Sequence, residues 1–119
     1  MKTLNTVLVS AFLGVALYAA ADVSGTWEID ANFDDGNLGG AGFDCVVKQA
    51  ADHLTGRCSG GSASLTGEID GQTMTWRVSN GEQPPAVTTF TGTLNAAGTS
   101  VQGRFTAGGK GGTFSATKS

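Results

Sequence analysis

Residues 45–58 read Cys-Val-Val-Lys-Gln-Ala-Ala-Asp-His-Leu-Thr-Gly-Arg-Cys, and the architecture can be worked out from this stretch. Its two arms alternate apolar and polar residues with period two, the pattern of half-buried strands. Ala51-Asp52 between them predicts a two-residue turn. With Ala50 opposite His53, Val47 faces Gly56 and Cys45 faces Cys58. Directly opposed residues on antiparallel strands have Cα atoms about 4.5–5.5 Å apart, a separation that a disulfide can span. Turn placement and cysteine count therefore agree independently on a Cys45–Cys58 bridge. Closing a loop of about 14 residues contributes roughly 3 kcal/mol in the chain-entropy account.

The same alternation runs outward in both directions, and no stretch after residue 21 has helical spacing of apolar residues. It predicts eight strands at 23–30, 43–50, 53–59, 63–70, 72–79, 87–95, 99–107 and 112–118. Asp70-Gly71, Asn95-Ala96-Ala97-Gly98 and Gly108-Gly109-Lys110-Gly111 are further hairpin turns. Taking Asp70-Gly71 as the turn centre sets Ile69 against Gln72, Gly67 against Met74 and Leu65 against Trp76. An apolar residue, a spacer and a glycine recur as Val23-Ser24-Gly25, Leu54-Thr55-Gly56, Leu65-Thr66-Gly67, Phe90-Thr91-Gly92 and Val101-Gln102-Gly103. Residues two apart share a face. Each glycine thus falls on the apolar face with Trp27, Ile29, Cys58, Ile69, Leu94 and Phe105. The wet face carries Thr55, Thr66, Thr91, Gln102, Arg57, Glu68, Arg77 and Arg104.

A sequential antiparallel meander with one apolar face must hide that face and its two edges. Closing the sheet on itself does both. Alternating large and glycine positions also fit a crowded small interior and let the sheet coil. The expected fold is an all-β, eight-stranded up-and-down barrel, with a two-sheet β-sandwich as the alternative. An outward face of threonines and charges argues against a membrane-spanning barrel.

Ser24-Gly25-Thr26-Trp27 at the start of the first strand resembles the G-x-W entrance of lipocalin-type barrels and the Gly-Thr-Trp opening of the avidins. Leu54-Thr55-Gly56-Arg57, and Leu65-Thr66-Gly67 followed by Trp76, resemble the strand pattern of streptavidin-like barrels. The overall rhythm is similar to that of small exported bacterial lipocalin-like (calycin-type) proteins. The resemblance implies the barrel. It does not extend to biotin, because Trp27 and Trp76 are the only tryptophans and the lone tyrosine, Tyr18, lies in the leader.

That leader, residues 1–21, has the three parts of a secretory signal peptide. Lys2 is basic, Val7 to Leu17 is mostly apolar, and Ala19 and Ala21 place the cut before Asp22. Removing 21 of the 119 residues leaves a single domain at 22–119. The expected location is secreted or periplasmic, where a disulfide persists. Loss of Lys2 takes the formal charge from −3 to −4. An acidic domain argues against nucleic acid as partner, and no membrane insertion is expected after cleavage.

No catalytic constellation is present, so no enzymatic activity and no cofactor are expected. His53 is the only histidine, no serine stands in a G-x-S-x-G context, and Gly108–Gly112 lacks a following helix for a phosphate cradle. A zinc site is improbable on a single histidine. Asp30 to Gly36 has alternating oxygens like a calcium loop, but Asp35 stands where such loops need glycine. The candidate ligand-binding residues are Trp27, Met74, Trp76, Phe90 and Phe105 on the inward face, joined there by Phe114. Phe33 and Leu38 belong to residues 31–42, read as the longest connection and a candidate lid.

The leading expectation is a non-enzymatic binding module that takes a small hydrophobic ligand at the barrel's open end. The alternative is a protein-interaction role, of inhibitor or immunity type, exerted on an unidentified protein through the loops of a solid barrel. A carbohydrate-binding outer face ranks third. An interior void above about 300 Å³ favours the carrier, and a filled core favours the interaction protein. Exported protein should begin at Asp22 by mass spectrometry and titrate no free thiol; two reactive thiols would break both the compartment argument and the register.

Overall fold

The alternation becomes eight strands in the computed structural model, which describes residues 22–119. The expected signal peptide, residues 1–21, lies outside the described residues. The strands are β1 (Gly25–Phe33), β2 (Gly40–Ala50), β3 (His53–Cys58), β4 (Ala63–Asp70), β5 (Thr73–Ser79), β6 (Val87–Leu94), β7 (Ser100–Ala107) and β8 (Lys110–Lys118). Each pairs antiparallel with the next, and β1 also pairs with β8, from Trp27 opposite Lys118 to Phe33 opposite Gly112. The sheet is a closed up-and-down barrel, so the sandwich alternative falls. Two short 3-10 turns, Gly36–Leu38 and Ser59–Gly61, are the only helical pieces among the described residues.

The β2–β3 hairpin has the expected register. Ala50 faces His53, Val47 faces Gly56 and Cys45 faces Cys58. The two cysteines form a disulfide with Cα atoms 4.0 Å apart. Ala51 carries the turn at φ 56°, a left-handed conformation that disfavours a Cβ.

The β4–β5 hairpin corrects the sequence reading. Asp70 pairs with Thr73, so the turn residues are Gly71 and Gln72 rather than Asp70 and Gly71. Ile69 therefore faces Met74, Gly67 faces Trp76 and Leu65 faces Val78. Gly71 alone has positive φ, which matches a II′ turn with glycine in its first central position. The slip is two residues in the pairing sum, so every side chain keeps its predicted face. The last hairpin is also tighter than expected: Ala107 pairs with Lys110 around Gly108-Gly109, both at positive φ.

The first connection is shorter than the sequence suggested. β1 runs on to Phe33 and β2 begins at Gly40, with Ala31 opposite Ala41 and Asn32 opposite Gly40. The 31–42 lid shrinks to residues 34–39, and the longest connection is instead 80–86. Backbone pairing satisfies polar groups that an open loop would leave to water, which is why the strands extend. Asn80 Oδ1 organises the longer loop by accepting the amides of Glu82 and Ala86, each at 3.0 Å.

The buried residues of the inward face are all apolar, with none polar or charged among the described residues. Its glycines sit beside large neighbours. A Cβ on Gly67 would come within 2.6 Å of Trp76 Cβ, and one on Gly112 within 2.6 Å of Phe105 Cε1. These inward glycines are thus places of close strand approach, where a Cβ would also meet backbone: the Thr75 carbonyl beside Gly67 and the Asn32 carbonyl beside Gly112.

Replacing both cysteines by alanine should lower stability by about 3 kcal/mol in urea denaturation. Gly67→Ala should cost about 1–3 kcal/mol by overpacking against the Thr75 carbonyl and Trp76. An unchanged midpoint in either variant would contradict this packing.

Candidate functional site

The up-and-down topology puts residues 22–24 and the C-terminal Ser119, and the turns 51–52, 71–72 and 95–99, at one end of the barrel. The loops 34–39, 59–62, 80–86 and 108–109 lie at the other. The two ends are filled by different chemistry.

At the terminal end, residues Asp22 to Ser24 fold over the barrel mouth. Val23 is fully buried, outside the strand in which the sequence reading placed it. Its carbonyl accepts a 2.8 Å hydrogen bond from Trp27 Nε1, and its amide donates to Gln49 Oε1 at 2.9 Å. Gln49 N donates in turn to Ser24 Oγ, at 2.9 Å. The Ser24 amide donates to Asp22 Oδ1, and this bond, aided by Lys118, holds the Asp22 carboxyl below its ordinary pKa. The small contribution of this contact is therefore present at neutral pH and lost on acidification through that lowered pKa.

At the opposite end six aromatic rings pack together. Trp76 stacks on Phe90 with centroids 5.2 Å apart and planes 12° from parallel. Phe114 stands edge-on to both, at 5.2 Å from Trp76 and 5.1 Å from Phe90. Phe105 and Phe43 tilt against Phe90, and Phe33 meets Phe105 edge-on at 5.1 Å.

Between plug and rings lies a void of about 10 Å³, walled by Trp27, Met74, Trp76 and aliphatic side chains including Leu54, Leu65 and Val101. That is room for about one water at most, far below the roughly 300 Å³ of a preformed ligand pocket. A ligand enters only by displacing side chains. Met74, unbranched and with three rotatable bonds, is the wall residue best suited to move.

The indole nitrogens differ. Trp27 Nε1 is bonded to Val23, whereas Trp76 Nε1 is buried and without an acceptor. Among the described residues it is the one buried side-chain polar atom left unpaired. Leaving such a donor unmet costs about 1–3 kcal/mol.

The structure brings the predicted residues together selectively. Trp27, Met74 and Trp76 share the void, while Trp76, Phe90, Phe105 and Phe33 share the aromatic cluster. Leu38 stands apart, 46% exposed on its 3-10 turn. Phe33 caps the rings from the end of β1 rather than from a mobile lid. Phe43 is the aromatic that sequence reasoning missed, although its parity with Cys45 and Val47 places it inward. The void also lies toward the terminal end, away from the loop expected to cover it.

The outside is a separate surface. Asp30 and Asn32, read as part of a calcium-like loop, lie on the outer face of β1. With Gln102, Thr113 and Ser115 they line a shallow polar depression open to solvent. Arg77 pairs with Glu68 at 2.6 Å, and Arg104 pairs with Asp34, which raises the guanidinium pKa above its ordinary value. Exposed pairs of this kind contribute about 0–1 kcal/mol. His53 is exposed beside Asp52 at 3.6 Å. No helix among the described residues is long and apolar enough to cross a membrane.

The chain matches no protein-family model, and no curated protein matches it either. Among solved structures it is similar to a redesigned β-barrel, mFAP1, bound to DFHBI, with a TM-score of 0.58 and 14% identity. The alignment covers 86% of this chain and 99% of that one. At such identity the likeness is one of fold, that of a β-barrel, which in this chain is closed, up-and-down and eight-stranded.

Proposed function

We propose that residues 22–119 form an exported, non-enzymatic binding module that takes a small hydrophobic ligand inside the barrel. What supports this reading is the closed barrel with buried apolar side chains from all eight strands, although its void of about 10 Å³ between Trp27 and Trp76 is far short of the roughly 300 Å³ of a preformed pocket. Apolar walls and two flanking indoles suit a hydrocarbon-rich guest. The fold neighbour, a barrel with a bound small molecule, supports the same reading. Because the void is small, binding is coupled to side-chain movement, and the free state is a closed form of the site.

The packed interior itself favours the second reading, action on a protein partner through the loops. Leu38, Val46 and Val87 are 46%, 57% and 44% exposed, and Leu38 and Val87 lie at the end opposite the chain termini. On this reading the barrel is a solid scaffold.

Intrinsic fluorescence separates the two. Titration with fatty acids, retinoids and biotin analogues should change the emission of Trp27 and Trp76. Met74→Ala should lower stability by about 2–5 kcal/mol and strengthen binding of the responding compounds by enlarging the void. A flat response across the panel in both proteins would assign the function to the loops.

A further inference from the structure

We propose that the outer face of β1, β2 and β3 around Val46 is a self-complementary docking surface, and that its occupant is a second copy of this chain. The inference concerns the outside of the barrel and does not depend on what the interior holds.

Parity puts Asp44, Val46 and Lys48 in one outward row on β2, all three exposed. Val46, at 57%, is the most exposed large hydrophobic residue among the described residues. Negative charge lies to one side of it along the strand: Asp44, with Glu28 directly opposite on β1. Positive charge lies on the other sides: Lys48 further along β2, and Arg57 opposite Val46 on β3.

Elsewhere on the barrel wall opposite charges meet within the chain, Arg77 with Glu68 and Arg104 with Asp34. Around Val46 they do not. Glu28, Asp44, Lys48 and Arg57 enter no ion pair among the described residues. Glu28 against Asp44 is instead a like-charge cross-strand pair, which is destabilising. Residues four apart on one strand are separated by about 13 Å, so Lys48 does not reach Asp44 to relieve it.

An apolar centre with acid to one side and base to the other matches its own copy. A two-fold axis in the plane of contact sets each half of the patch against the opposite half. With the strands of the two copies crossing near right angles, Val46 packs on Val46. Asp44 of each copy then meets Arg57 of the other, and Lys48 of each falls on the β1 side of the other, toward Glu28. Both members of the like-charge pair thus gain a cation that their own chain does not bring to them. A foreign protein would have to carry the inverse layout, whereas a second copy already has it. The contact is a few side chains on a convex wall, so the dimer is weak and sensitive to salt.

Sedimentation velocity of the barrel, residues 22–119, should show a monomer–dimer equilibrium between about 10 μM and about 1 mM that weakens as salt is raised. Asp44→Arg alone and Arg57→Asp alone should each lower self-association by about tenfold or more, because each sets like charges together. An equimolar mixture of these two variants should associate again, since every contact across the interface then joins an arginine to an aspartate. Recovery in the mixture also shows that both variants fold. Arg77→Asp, on the far wall, should leave the equilibrium unchanged. A monomer throughout the range would overturn the second copy as occupant and leave the face to a foreign partner. A dimer indifferent to both reversals would place the contact elsewhere and overturn the surface. Association lost in each variant and not recovered in the mixture would overturn the two-fold pairing of Asp44 with Arg57. None of these outcomes bears on the interior, which the tryptophan titration tests separately.

Discussion

Pairing of β1 with β8 is the constraint on which the rest of this molecule depends. Eight short strands carry one apolar face, and an open sheet of that kind would expose both that face and two unpaired edges. The β1–β8 ladder removes the edges and turns all inward residues toward a common axis. Closure at this size leaves little room. Large residues are accommodated because glycines lie beside them on neighbouring strands, as Gly67 lies beside Trp76 and Gly112 beside Phe105. The disulfide reinforces the same geometry across β2 and β3 by tying an inward pair that register has already brought together.

From closure follows the division of the interior. Strand ends near the loops 34–39 and 80–86 bring phenylalanines, which interlock as stacked and edge-on rings around Phe90. Strand ends near the termini bring aliphatic side chains, and these pack less completely against the rigid indoles of Trp27 and Trp76. The residual void sits where the two kinds of packing meet. Val23 closes the terminal mouth through bonds from both its amide and its carbonyl. The interior is thus sealed by a short peptide at one end and by rings at the other. Access to it is a matter of local opening rather than of a standing channel.

Legibility in the sequence varied with the range of the interaction involved. The Cys45–Cys58 pairing was readable because one two-residue turn and a period of two determine everything between the cysteines. The Asp70-Gly71 turn was misplaced because a glycine can occupy either central position of a tight turn, and local chemistry does not choose. The cost was small, since a shift of two in the pairing sum leaves every side chain on its face. By composition the 31–42 segment reads as loop, because Asp, Asn and Gly dominate it, yet its flanks zip into β1 and β2. Propensity for turns yields there to the gain from continuing a ladder whose partner strand is already in place.

Parity and turn chemistry are enough to say which residues face inward and that Cys45 meets Cys58, and they favour a closed meander over a sandwich. These are consequences of parity and of neighbours close along the chain. Closure and the assembled interior settle the rest: that the fold is a barrel and not a sandwich, that Val23 becomes a plug, that the rings gather at the end away from Val23, and that Trp27 finds an acceptor while Trp76 does not. Each of these depends on distances across the barrel, between residues far apart in sequence. No local pattern encodes such distances, because they are set by strand tilt and by how completely side chains from eight strands fill one shared interior.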